Sequence, residues 1–310
     1  MPEPAPFYAA VADAPEGVSA VWLRAADGRR IRLALTPPGP RGLALILPGR
    51  TEYAEKYGPV MGQLMALGLG SAVIDWRGQG LSERPGGDTG LGHVGDFSEY
   101  RMDLAAMCAH LADRPEPRVM ICHSMGGAIG LAALTGGLAV RGAVFCAPMW
   151  GLAMAPWLRA ITPLVARAAV RLGLALRHAP GGDARFYVLS APFEGNLLTS
   201  DRTQWEWMRG QLRRHPELGL GGPSFGWVDA AFREMARLAA APAPALPALG
   251  LLGSAEALVS PEAVRAGLAR MPAGRLVELS GARHEPFFET PAIRAQVWRA
   301  IAAHLERIGL

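Results

Sequence analysis

The chain has 310 residues, half of them apolar or aromatic, and a formal net charge of only +4, which describes a globular protein with a large core and excludes a disordered chain. Of its 31 basic residues one is a lysine, Lys56, and the rest are arginines spread along the sequence, so there is no basic stripe for nucleic acid and no nucleic-acid partner is expected. The cysteines, Cys108, Cys122 and Cys146, stand in apolar runs without C-x-x-C spacing, which predicts unpaired core thiols and no metal site.

In chain order, Val18 to Leu23 and Arg30 to Leu35 flank the turn signal Asp27-Gly28 and predict an opening hairpin. Gly42 to Leu47, Gly70 to Ile74, Val119 to Cys122, Val140 to Cys146, Ala248 to Leu252 and Arg275 to Leu279 predict buried strands. Helical patterns lie between them at Ala54 to Leu67, Phe97 to Leu111, Met125 to Leu134, Pro261 to Arg270 and Pro291 to Arg307. Strands alternating with helices predict an α/β fold: a mostly parallel sheet with helices on both faces and antiparallel strands at one edge. In such folds ligands bind at the carboxyl ends of the strands.

The alternation fails between about Trp150 and Ala240. The expected organisation is therefore a core of residues 1–149 and 241–310, interrupted by a helical lid at 150–240. Five of the eight tryptophans fall in the insertion (Trp150, Trp157, Trp205, Trp207, Trp227). They serve as the insertion's own core or, with its leucines, line an apolar pocket for an acyl chain. The proline-rich stretch from Ala239 to Pro247 is a stiff return linker.

Ile121-Cys122-His123-Ser124-Met125-Gly126-Gly127 carries the chemistry. A β-branched run breaks into a small-residue helix with a serine at the bend, where a nucleophile's hydroxyl is projected above the sheet. The pattern departs from G-x-S-x-G at Cys122. A serine nucleophile needs an imidazole base, and among seven histidines His284 has the best placement, in the loop after the Arg275 to Leu279 strand. His123, next to the serine, is expected to point elsewhere in a packing or orienting role. His110, His178, His215 and His304 are expected at the surface, and His93 near the entrance. The base needs a carboxylate to fix its tautomer. Glu256 is the acid of the loop after the Ala248 to Leu252 strand, while Asp75 is assigned a structural role in the turn Trp76-Arg-Gly-Gln-Gly80. The Met125 amide and the Arg50 amide, the latter next to Gly49, are the expected oxyanion donors. The Arg50 guanidinium is expected in a surface or supporting role; holding a phosphate or other anion, if it faces the mouth, is the alternative. Gly49, His123, Trp150 and Phe193 are candidate substrate contacts.

Leu47-Pro-Gly-Arg-Thr-Glu-Tyr-Ala-Glu-Lys-Tyr57, Asp75-Trp-Arg-Gly-Gln-Gly-Leu-Ser82, His123-Ser-Met-Gly-Gly127 and Gly281-Ala-Arg-His-Glu285 together resemble the monoacylglycerol lipase and bacterial lysophospholipase branch of the α/β-hydrolase superfamily, with its serine aminopeptidase S33-type members. The chain order Ser124, Glu256, His284 is that of the superfamily. Phe193-Glu-Gly-Asn196 and Leu198-Thr-Ser-Asp201 are similar to the lid of the lysophospholipase-like members. The resemblance implies an α/β-hydrolase fold and hydrolysis of a carboxylic ester bearing one long acyl chain, with a lipid ester as substrate and no cofactor. Three positions depart from the pattern: Cys122 for the elbow glycine, Pro48 for a histidine, and Glu256 for an aspartate. A catalytically silent hydrolase-fold binding protein, and an acyltransferase or C–C hydrolase on the same scaffold, are the competing expectations.

The N-terminal stretch lacks the pattern of a secretory signal. No run of about twenty uncharged apolar residues occurs. The expected location is cytoplasmic, with transient contact between the lid and the inner face of the membrane.

Overall fold

The computed structural model describes residues 3–84 and 90–310. Its strands are β1 (Glu3–Ala5), β2 (Ser19–Arg24), β3 (Arg30–Leu35), β4 (Gly42–Leu47), β5 (Leu69–Asp75), β6 (Arg118–His123), β7 (Gly142–Cys146), β8 (Ala248–Gly253) and β9 (Gly274–Leu279). Among the described residues they form one nine-stranded sheet in the order β1-β2-β3-β5-β4-β6-β7-β8-β9. The pairs from β5 through β4 to β9 are parallel, whereas β1, β2 and β3 pair antiparallel and β3 joins β5 antiparallel. The central strands β4, β5 and β7 are buried along their whole length, as the unbroken apolar runs require of strands covered on both faces.

The helices are α1 (Ala9–Ala12), α2 (Gly58–Ala66), α3 (Ser98–His110), α4 (Met125–Thr135), α5 (Pro156–Arg171), α6 (Tyr187–Ser190), α7 (Arg202–Arg214), α8 (Phe225–Ala240), α9 (Pro261–Ala269) and α10 (Pro291–Arg307). Residues of α2 and α10, among them Met61, Leu64, Val297 and Ile301, pack on one face of the sheet. Residues of α3, α4 and α9, with Trp227 and Met235 of α8, pack on the other. Helices α5 to α8 all lie between β7 and β8, in the part of the chain where the alternation fails. None of the helices, among the described residues, is long and apolar enough to cross a membrane.

One local expectation is corrected. His304 is buried, not at the surface. It shares the inward stripe of α10 with Val297, Ile301 and Leu305, a consequence of helical spacing that its arginine neighbours hide. Burial, reinforced by Arg307 and Arg275, pushes its pKa down to about 4. The edge strand β1 and the short α1 carry no sequence pattern, and β1 contains Pro4, which only an edge strand tolerates.

Asp75 ends β5 inside the protein, in the structural role assigned to it. Arg32 of β3 donates through Nε to Asp75 at 2.7 Å and through its two terminal nitrogens to Glu55 at 2.7 and 2.6 Å, all three side chains being fully buried. The Asp75 carboxylate also accepts from the amides of Ala54 at 2.7 Å and Leu81 at 2.8 Å. One guanidinium thus fixes the segments that follow β4 and β5. Arg32→Met leaves two buried carboxylates without a cation and is expected to lower stability by about 3–5 kcal/mol, measured as a lower urea midpoint. An unchanged midpoint would show that the carboxylates protonate or hydrate at little cost.

Candidate functional site

Strand β6 ends at His123 and α4 begins at Met125, so Ser124 makes the whole turn, with φ 47° and ψ −115°. A side-chain-bearing residue in that conformation is strained by about 1–3 kcal/mol and persists only where its surroundings dictate it. Here the Ser124 amide donates to the Cys146 carbonyl at 3.0 Å, and its own carbonyl accepts from Gly127 and Met149, each at 2.8 Å. The helix also sits flush on the end of β4. A Cβ at Gly126 would stand 2.0 Å from the Leu47 carbonyl oxygen, so no larger residue can make this approach. Cys122 is fully buried with its thiol against Gly130, and the turn is intact above it.

The hydroxyl of Ser124 lies 2.9 Å from His284 Nε2, and His284 Nδ1 lies 2.8 Å from Glu256 Oε2. The other Glu256 oxygen accepts from the amides of Leu258 at 2.7 Å and Val259 at 3.1 Å, which aims the longer glutamate at the imidazole. Burial alone would raise the Glu256 pKa, but His284 and these two amides hold it below the usual carboxylate value. The three sequence-predicted residues are thus in line, although they come from the ends of three different strands.

Beneath them lies a charge cluster whose pairing the sequence does not disclose. His123 Nδ1 is 3.0 Å from Glu52 Oε2 and its Nε2 is 3.0 Å from the His284 carbonyl oxygen. Both neighbours are acceptors, so the ring donates from both nitrogens as an imidazolium. Burial pulls the His123 pKa down, but the Glu52 and Glu285 carboxylates overcome it and hold the value at about 9. Lys56 bridges Glu52 at 2.5 Å and Glu285 at 2.7 Å. Glu52 further accepts from the Tyr57 hydroxyl at 2.6 Å and from the Gly49 amide. Glu52, His123 and Glu285 are close enough together to suggest a cation site, but the Lys56 ammonium already supplies the positive charge there. Glu52, Lys56 and Glu285 were visible only as letters within the quoted motifs.

A cavity of about 330 Å³ opens above Ser124 and His284. Its wall includes Arg50, Thr51, Met149 and Leu258 from the core and Leu152, Val188, Leu197, Met208, Leu212 and Trp227 from the insertion. Among the described residues neither the Arg50 nor the Met125 amide is used in an internal hydrogen bond.

Of the candidate substrate contacts, His123 borders the cavity and the others do not. Gly49 is packed below, where a Cβ would be 3.1 Å from that of Ser124. Trp150 turns away to pack on Phe145 and donates to the Gly127 carbonyl at 3.1 Å. Phe193 packs against Trp205 and under the Arg202 guanidinium. Most of the insertion's tryptophans are likewise spent elsewhere. Trp205 is buried, Trp207 stacks on Phe288 and Trp157 faces solvent, which leaves Trp227 in the cavity wall. His93 bonds Ser224 at 2.7 Å and is not in that wall.

The insertion is fastened to the His284 loop by its own backbone. The amides of His284 and Glu285 donate to the carbonyls of Leu197 at 3.4 Å and Leu198 at 2.9 Å. Arg283 reaches the carbonyls of Asn196 at 2.8 Å and Thr199 at 3.0 Å, and the Thr199 hydroxyl donates to the Phe288 carbonyl at 2.7 Å.

Residues 38–291 match the family model described as serine aminopeptidase, S33. Lysophospholipase L2 of Escherichia coli (strain K12) is 34% identical over 284 residues, covering 86% of this chain and 80% of the relative. A monoacylglycerol lipase of Mycolicibacterium smegmatis is 37% identical over 92 residues, 29% of this chain and 31% of that protein. Among solved structures, a soluble variant of the monoglyceride lipase from Saccharomyces cerevisiae, in complex with a substrate analogue, has a TM-score of 0.71 at 20% identity, covering 99% of this chain and 97% of that one, a likeness of fold. The chain belongs to the serine aminopeptidase S33 family, in the monoacylglycerol lipase and lysophospholipase branch of the α/β-hydrolases.

Proposed function

We propose that this carboxylic ester hydrolase is a serine esterase that removes the single acyl chain of a monoacyl glycerolipid through an acyl-enzyme on Ser124. The observation that carries the proposal is the contact chain from Ser124 through His284 to Glu256 at the floor of a mostly apolar cavity. His284 Nε2 takes the hydroxyl proton as Ser124 Oγ attacks the ester carbonyl, while Glu256 holds the Nδ1 proton and stabilises the imidazolium. The oxyanion is received by the Arg50 and Met125 amides, the latter at the positive end of α4. His284 then protonates the departing alcohol, and water repeats the sequence to release the fatty acid. His123 acts as a positioning residue by holding the His284 carbonyl. Family membership and the retained three side chains argue against a catalytically silent binding protein.

Residues 150–240 form the lid in this proposal, and its outer helix meets the lipid surface. In and just after α5, Trp157, Leu164 and Leu172 are 64%, 67% and 77% exposed. Arg159, Arg167, Arg171 and Arg177 accompany them, and no acidic residue occurs between Trp150 and Gly182. Exposed apolar side chains among cations suit an anionic bilayer surface.

Wild-type protein is expected to label with a fluorophosphonate and to hydrolyse p-nitrophenyl esters, with rates that depend on chain length. Ser124→Ala abolishes both, and Glu256→Gln lowers kcat roughly 10³- to 10⁴-fold. Label retained in Ser124→Ala would place the nucleophile elsewhere, and release of acylated acceptor instead of free fatty acid would make the enzyme a transferase.

The His123 imidazolium carries a pH signature. Its folded pKa of about 9 lies above the ordinary histidine value, so the ring is fully charged at neutral pH and loses its proton as pH rises through about 9. A fall in kcat through that window is expected in wild type and should be absent in His123→Gln. A wild-type profile flat to pH 10 would remove His123 from the mechanism.

For the lid, co-sedimentation with vesicles containing phosphatidylglycerol should weaken roughly tenfold or more in Trp157→Ser/Leu164→Ser. Equal binding by the two proteins would dismiss α5 as the docking surface.

A further inference from the structure

Arg50 leaves the loop after β4 with its side chain in the wall of the cavity that holds Ser124 and His284. Its guanidinium lies over the Trp227 ring, 5.2 Å from the centroid, and donates through Nη2 to the Gly221 carbonyl at 2.7 Å. Nε is buried without a partner. Nη1 forms no hydrogen bond with the described residues and is not sealed off. No carboxylate among the described residues pairs with this cation, in contrast to the buried Arg32, which Glu55 and Asp75 flank, and Arg77, which Asp27, Glu99 and Asp103 surround. The other ammonium or guanidinium in the cavity wall, on Lys56, is already neutralised by Glu52 and Glu285.

Burial pushes the Arg50 pKa down to about 10, which still leaves the group cationic at neutral pH. A partly buried charge without a counter-ion is still a cost to the fold. Such a cost is tolerated where a ligand supplies the missing charge. Here the unpaired cation shares a cavity with the serine, and the rest of that cavity is largely apolar. An ester with one acyl chain and one anionic headgroup complements both parts.

We propose that the Arg50 guanidinium binds the phosphate of a monoacyl phospholipid headgroup while the acyl ester lies at Ser124. This rests on the serine-esterase proposal above and extends it from the acyl chain to the headgroup. The Arg50 amide, in its separate role, faces the oxyanion; the side chain selects the substrate. A charge-assisted hydrogen bond of this kind corresponds to a roughly 10- to 100-fold preference.

The test compares 1-oleoyl-lysophosphatidylglycerol with 1-oleoylglycerol, which carry the same acyl chain, at equal mole fraction in Triton X-100 mixed micelles. The readout is the ratio of their kcat/KM values. Arg50→Gln should reduce that ratio roughly 10- to 100-fold, chiefly through KM for the phospholipid, and Arg50→Lys should restore part of it. Gly92→Ala places a Cβ 2.2 Å from Arg50 Nη2, so it displaces the guanidinium without altering the Arg50 backbone and should reduce the ratio as well. The urea midpoint of Arg50→Gln should equal or exceed that of wild type, because an uncompensated cation has been removed.

An unchanged ratio in Arg50→Gln, with wild type turning over both esters, overturns the headgroup assignment and leaves the esterase standing. Competitive inhibition of wild type by inorganic phosphate, with no preference for the phospholipid, also overturns it, because the site would then serve free phosphate. Turnover of neither ester by wild type sinks the serine-esterase proposal and this one with it.

Discussion

Glu52 is the residue on which the geometry of the site depends. Its carboxylate accepts from the Gly49 amide, the Tyr57 hydroxyl and His123, and pairs with Lys56. Through these contacts one buried anion joins the loop after β4, the end of β6 and, by way of Lys56 and Glu285, the loop after β9. Those are the segments that carry the Arg50 amide, Ser124 and His284. Burial by itself would make the Glu52 carboxyl harder to ionise; the cations around it reverse that and hold its pKa well below normal. A cluster of this kind is a poor source of net stability, since desolvation offsets most of its Coulomb energy. Its worth is geometric, because each member is satisfied in one arrangement of the three loops.

The strain at Ser124 belongs to the same arrangement. A turn of one residue between strand and helix can persist only if the helix start is pressed against the neighbouring strand end, and the lack of a side chain at Gly126 lets it reach the Leu47 carbonyl. The sheet order then fixes what surrounds the serine. With β4 and β7 on either side of β6, the loop carrying Gly49 and the Cys146 carbonyl both reach Ser124. The residues of the contact chain are far apart in sequence, but the parallel strands bring them to one edge of the sheet.

The sheet and the helices of the core were largely legible in the sequence, because buried parallel strands are unbroken apolar runs set apart by longer stretches of helical composition. Gly42–Leu47 and Pro291–Arg307 fall where the pattern puts them. That Ser124, His284 and Glu256 would meet was legible for a similar reason, each standing directly after a recognisable strand or in the loop that follows one. What escaped was whatever depends on contacts distant in sequence. Nothing local says that Lys56 meets Glu285, or that Trp150 faces Gly127 and not a substrate. His304 was misplaced because its arginine neighbours outweighed its position on the inward stripe of α10. In the insertion the tryptophans drew attention, yet the cavity wall is made mainly from leucine, methionine and valine, whose spacing there follows no sheet rhythm.

The backbone bonds from Leu197 and Leu198 to the amides of His284 and Glu285 bear on how such an enzyme can be altered. The insertion is not a cassette that could be exchanged between relatives at the two points where it leaves and rejoins the sheet. A graft that kept β7 and β8 but gave residues 196–199 a different backbone course would take away the acceptors of the histidine loop and of Arg283 together. A chimera therefore has to carry the segment from Asn196 to Thr199 and the segment from Arg283 to Phe288 as one unit, although 84 positions separate Thr199 from Arg283.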